Sequence, residues 1–135
     1  MTASEGLVAI ILIVAFTTIA QVILRRIISY RLTDSAVTVE FLNLKIFNIR
    51  YLDIKVIRLS TFGEGFSPWA GWHFANRIFY DTAVSIKKRR FGILQKIIVT
   101  PDDPERFFSE ISERLDAARY KHRLGEKLDS AIDHV

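Results

Sequence analysis

Residues 6–24 of the chain, GLVAIILIVAFTTIAQVIL, run for nineteen positions without a charged side chain, and their only polar side chains are Thr17, Thr18 and Gln21. Wound as an α-helix, this segment covers roughly 28 Å, close to the ~30 Å hydrocarbon core of a bilayer. The run therefore predicts a helix that crosses a membrane once. A cleaved signal peptide is the competing reading, but residues 1–5 (MTASE) hold no Lys or Arg, no A-x-A pattern follows, and the run exceeds the usual h-region. A retained anchor is expected. Glu5 is the only charge before the run, whereas Arg25, Arg26 and Arg31 follow it, so the positive-inside rule places the C-terminal body on the cytoplasmic side of the cell inner membrane, with the N-terminus outside. Thr17, Thr18 and Gln21 are candidate contacts to a partner helix, although a threonine can also bond its own backbone.

Beyond the run, period-two patterning rich in β-branched and aromatic residues takes over: Ile28, Tyr30 and Leu32; Val37, Val39 and Phe41; Leu44 and Ile46; then Ile49, Leu52, Ile54 and Val56. Thr33-Asp34-Ser35 and Asn43 supply breaks too close together for crossover helices, so an antiparallel meander is expected. Further strands are expected at 74–80, 82–87 and 93–99, about seven in all. A loop spans 61–73, and a basic turn, KKRRFG, joins the last two strands. Asp103 as a cap with Pro104 in the first turn predicts a helix start. Phe107, Phe108, Ile111, Leu115 and Ala118 then share one face suited to packing on the sheet. Gly125 is the expected stop, leaving residues 125–135 as a tail. The domain reading is 1–26 tail and membrane helix (about 6–24), 27–124 folded body, 125–135 tail.

Several stretches resemble the bacterial pleckstrin-homology-like domains: Tyr30-Arg31-Leu32-Thr33-Asp34, residues 49–56 with Asp53-Ile54, Thr82-Ala83-Val84-Ser85-Ile86, and above all residues 97–107, IIVTPDDPERF. The resemblance covers about 27–118. It implies a membrane-anchored member with one N-terminal transmembrane helix and a mainly antiparallel β domain, a seven-stranded barrel or sandwich closed by a C-terminal α-helix. It also implies a cytoplasmic binding or assembly module and transfers no catalytic residues.

The chain has no cysteine, which excludes a disulfide framework, a thiolate zinc site and a cysteine nucleophile. His73, His122 and His134 follow no metal-ligand spacing, and Gly63-x-Gly65 lacks the rest of a dinucleotide fingerprint. Asp102, Asp103 and Glu105 are accounted for by a helix start. No catalytic, cofactor or metal site is expected. Charge is uneven: residues 25–100 carry 13 Lys and Arg against 5 Asp and Glu, whereas 101–135 carry 6 against 9. Arg25, Arg26, Lys87, Lys88, Arg89, Arg90 and Lys96 are candidate contacts to anionic phospholipid headgroups or an acidic partner, the alternative being a solvated turn. Phe66, Trp69 and Trp72, in a Gly- and Pro-interrupted loop, are candidate partner contacts, with the chain's own core and the lipid interface as alternatives. The tether, the acidic closing helix and the lack of a recognition motif argue against nucleic acid. The expectation is a non-catalytic, single-pass accessory or assembly subunit of a larger respiratory, photosynthetic or secretion complex. Its rival is an anionic-lipid-binding regulatory module.

Overall fold

The computed structural model describes residues 2–61, 72–77, 80–90 and 93–133, with the side chains at 73, 90, 93 and 94 outside that description. The chain opens with α1 (Ala3–Ile27), started by a capping box in which Thr2 and Glu5 satisfy each other's backbone amides. None of its residues is buried against the rest of the chain. It is long and apolar enough to cross a membrane, a length and composition it shares with N-terminal signal sequences.

Strand β1 (Ile28–Leu32) follows α1 with no linker, because Ile28 is already extended while its amide still bonds the Leu24 carbonyl. It pairs antiparallel with β2 (Ala36–Phe41), which pairs antiparallel with β3 (Leu44–Arg50). Thr33 closes the first turn through its hydroxyl and amide, both bonded to Ala36. The second turn is the two-residue loop Leu42-Asn43, both residues at positive φ, 51° and 63°. Such loops match the twist of the strands, and Asn suits them. A side chain such as Leu in that conformation costs about 1–2 kcal/mol. A register shift between Val39 and Glu40 then turns the β3 pattern over. Phe47 and Ile49 face the core, while Leu44 and Ile46 face out.

A 3-10 turn, Tyr51–Asp53, ends this first sheet. β4 (Ile54–Thr61) belongs to a second sheet, ordered β4-β6-β7-β5, with β5 Trp72–Phe74, β6 Thr82–Arg90 and β7 Ile93–Val99. The expected single meander is thus divided after Arg50. The strand expected at 74–80 is replaced by the short β5, which runs parallel to β7 at Trp72↔Ile97 through Phe74↔Val99. Among the described residues no strand pair joins the two sheets, so the body is two sheets around one core, not a closed barrel.

That core holds Val37, Val39 and Ile49 from the first sheet, Ile54, Val84, Ile86, Ile97 and Val99 from the second, and Ile111 and Leu115 from α2 (Pro104–Ile132). Asp103 caps α2 by accepting the Arg106 amide at 3.0 Å. Tyr51 donates its hydroxyl to the Thr33 carbonyl, Arg114 donates to the same oxygen, and Arg119 donates to the Ile54 carbonyl. Residues 119–133 are exposed. α2 does not stop at Gly125 but continues to Ile132. Nothing approaches within 4 Å of where a Gly125 side chain would lie. One glycine in a helix interior costs only about 1 kcal/mol, and Glu126, Lys127, Leu128 and Ala131 favour continuation.

Candidate functional site at the end of the apolar helix

The end of α1 is joined to the β domain by contacts as well as by the chain. Gln21, one and a half turns before the helix end, donates its amide to the Asn76 carbonyl at 3.3 Å. Asn76 is buried, and its side chain donates to the Ile28 carbonyl at 3.4 Å. Its amide N–H meets the Thr100 hydroxyl at 3.0 Å, and that hydroxyl donates back to Asn76 Oδ1 at 3.1 Å. The Tyr30 phenol donates to the Phe74 carbonyl and accepts the Thr100 N–H. Burial pushes this phenol above its ordinary pKa, against the opposing hydrogen bonds from Thr100. Gln21, Tyr30, Asn76 and Thr100 thus tie the start of β1 and the segments following β5 and β7 to the last turns of α1.

Beside this network Arg77 donates to the Asp102 carboxylate at 2.5 Å and to its carbonyl at 3.1 Å. The Arg77 hydrogen bond holds the Asp102 carboxyl below the usual carboxylate range, helped by the charges of Arg77 and Arg25. An open groove of about 460 Å³ runs between Arg77 and the helix face carrying Thr17, Thr18, Gln21, Val22 and Arg25. Arg25 and Arg26 fall in the last turn of α1, where cations complement the helix dipole.

The polar groups proposed for a partner helix are satisfied within the chain. Thr17 donates to the Ile13 carbonyl, Thr18 to the Val14 carbonyl and Gln21 to Asn76. These donated bonds are made within the chain, so they do not require a neighbouring helix.

Strand alternation splits the basic group. Lys87 and Arg89 point outward, and Lys96 is half-buried. Lys88 points inward: it is 6% exposed with its ammonium 4.3 Å from the centre of the Phe47 ring. The expectation of a Lys88 contact to lipid or an acidic surface is corrected accordingly. Lys87 stands directly opposite Lys96 across the β6–β7 pair, a like-charge juxtaposition. The Arg90 side chain, Phe66 and Trp69 lie outside the described residues. Trp72 is 60% exposed and stacked on Phe74, rings 6.5 Å apart and 8° from parallel. Among the described residues no group of three or more His, Cys, Asp or Glu is placed to hold a metal ion.

Asn76, Thr100 and Arg77 escaped the sequence reading. Asn76 falls in a stretch read as strand, and nothing local marks its partners 24 and 48 residues away. Comparison with protein-family models, with curated proteins and with solved structures gave no match.

Proposed function

We propose that this is a non-catalytic, single-pass membrane protein, with its β domain on the cytoplasmic side of the inner membrane, acting as an accessory or assembly subunit of a larger membrane complex. The β domain is read as a member of the pleckstrin-homology-like group with its two sheets left open. The observation that carries the proposal is the second half of α2. Beyond Arg119 the helix leaves the sheet, with Tyr120, Leu124, Leu128 and Ile132 exposed at four-residue spacing. An isolated helix of this length is marginal in water, so such a stripe reads as a surface completed by another protein. Retention of α1 is supported by its run into β1 without a linker and by the Gln21–Asn76 bond, both of which cleavage would remove.

The test is purification of the intact chain from its native membrane in mild detergent. Stoichiometric recovery with other membrane subunits is expected, and the paired substitutions Leu124→Ser and Leu128→Ser should release it. Recovery as a lone monodisperse chain would overturn the reading.

A second reading, recognition of anionic headgroups, is favoured by the Lys87–Lys96 pair beside exposed Arg89, since an anion would relieve the like-charge opposition. In lipid nanodiscs, amide protection across 87–96 that rises only when anionic lipid is included, and that is lost in Lys87→Ser/Arg89→Ser, would support it.

A further inference from the structure

The β2–β3 hairpin exposes large apolar side chains at its tip: Leu42 is 59% and Leu44 69% exposed, with Phe41 and Ile46 also exposed. Among the described residues, none buries these four side chains. The tip is held beside the end of α1, because the Leu42 N–H bonds the Ile27 carbonyl at 2.7 Å and Phe41 pairs with Ile28. Leu42 also occupies a left-handed position that Asn or Gly fills without strain, so the turn itself does not account for a leucine there. The exposed charged residues nearest the tip in the chain are positive: Arg26 at the end of α1 and Lys45 on the hairpin. The neighbouring carboxylate, Glu40, is buried, accepting the Ser29 hydroxyl with Arg31 at 3.6 Å.

We propose that this hairpin tip is a second membrane contact, with Phe41, Leu42, Leu44 and Ile46 seated at the boundary between headgroups and acyl chains. The inference rests on the reading of α1 as a membrane span. Ile27 lies three residues past the apolar run, about 4–5 Å along the helix axis, and the Gln21–Asn76 bond brings the domain back to the last turn of that run, which puts the tip at headgroup level. Apolar side chains beside Arg26 and Lys45 suit that depth, where the rings and aliphatic groups bury and the cations meet lipid phosphates. Two anchors, the helix and the hairpin, would fix the tilt of the domain against the membrane surface, which a single span leaves open.

The absence of cysteine makes the test direct, since a single introduced cysteine can carry an environment-sensitive fluorophore. The full chain is reconstituted into phosphatidylcholine–phosphatidylglycerol vesicles containing lipids with a nitroxide quencher either near the headgroup or near the chain end. Probes are placed at Leu42→Cys and Leu44→Cys, with Phe16→Cys in mid-helix and exposed Lys55→Cys at the start of β4 as references. The hairpin probes should shift to the blue and lose about half their emission to the shallow quencher, Phe16→Cys should respond to the deep quencher, and Lys55→Cys to neither. Adding Leu42→Asn, which keeps the turn chemistry, should reduce shallow quenching of the Leu44 probe at least about twofold. Quenching at Phe16 without quenching at the hairpin would overturn the proposal and leave the membrane span standing, whether the tip then reports water or a protein neighbour. Absence of quenching at Phe16 would remove the span and the proposal together.

Discussion

The Tyr30 hydroxyl accepts the Thr100 amide N–H at 3.2 Å, so a phenol on the first strand satisfies the chain just beyond the last one. Thr100 is fully buried. Tyr30→Phe should leave that N–H and the Phe74 carbonyl without the phenol, at a cost of about 1–3 kcal/mol. Thermal unfolding of the intact chain in detergent should fall by about 5 °C or more. The same substitution should change the alkaline limb. Because the folded phenol titrates above its unfolded value, its stabilising contribution is present below about pH 10 and is lost as pH rises through the folded value. Tyr30→Phe should therefore lose stability less steeply above pH 10 than the parent, with Tyr51 and Tyr80, raised in the same direction, supplying the remaining slope. An unchanged alkaline slope would exclude Tyr30 as its source.

The two halves of α2 should respond to very different extents when their apolar side chains are truncated. Ile111 is fully buried in the core, so Ile111→Ala removes packed atoms and leaves a cavity, costing about 2–5 kcal/mol. Leu128 is exposed on the projecting half, and Leu128→Ala should stay within about 0.5 kcal/mol. Unfolding midpoints of the two variants in the same detergent check this. A large loss for Leu128→Ala in the purified chain would mean that the projecting half already packs on something.

What was legible in the sequence was what local chemistry decides. The uncharged run became α1, Thr33 and Asn43 became turns, and Asp103-Pro104 became the start of α2. Pairing choice was not legible, because it is settled by packing between distant segments. Nothing between Arg50 and Ile54 announces that the chain changes sheets there, nor that Trp72–Phe74 lies parallel to β7. Alternation placed Lys88 inward between two outward cations, but a reading by charge alone grouped all of them. The register shift at Val39/Glu40 likewise reversed the face on which Leu44 and Ile46 were expected. Arg25, Arg26 and Gln21 stand out from their place at the end of the run, but as contacts to lipid or a partner helix and not as contacts to the β domain. Asn76, Thr100 and Arg77 do not stand out, since their roles exist only once strands 50 or more residues from α1 have folded back onto it.

Acid should weaken the fastening between Arg77 and Asp102. The folded carboxyl titrates below its unfolded value, so its contribution is present above the unfolded value near 3.8 and is lost as pH falls through the folded one. Asp102 is largely exposed, which limits the effect to about 1 kcal/mol or less. Asp102→Asn should lower the unfolding midpoint slightly at pH 7 and flatten its decline below pH 4. A parallel decline in both proteins would show that the acid transition comes from other carboxylates.

Gly125 offers a way to strengthen the projecting half of α2 without touching the domain. Its surroundings are open, so Gly125→Ala meets no clash and recovers about 1 kcal/mol of helix propensity. The gain should be local, because residues beyond Arg119 lie outside the core and open without unfolding it. Amide exchange across 121–130 should slow by about fivefold, whereas Ile97, Ile98 and Val99 in the core strand should exchange as before. If the stripe of Tyr120, Leu124, Leu128 and Ile132 docks as a helix, the same substitution should also tighten association in the mild-detergent complex, because less ordering remains to be done on binding. Slower exchange with weaker association would mean instead that the partner requires this segment bent or unwound at Gly125.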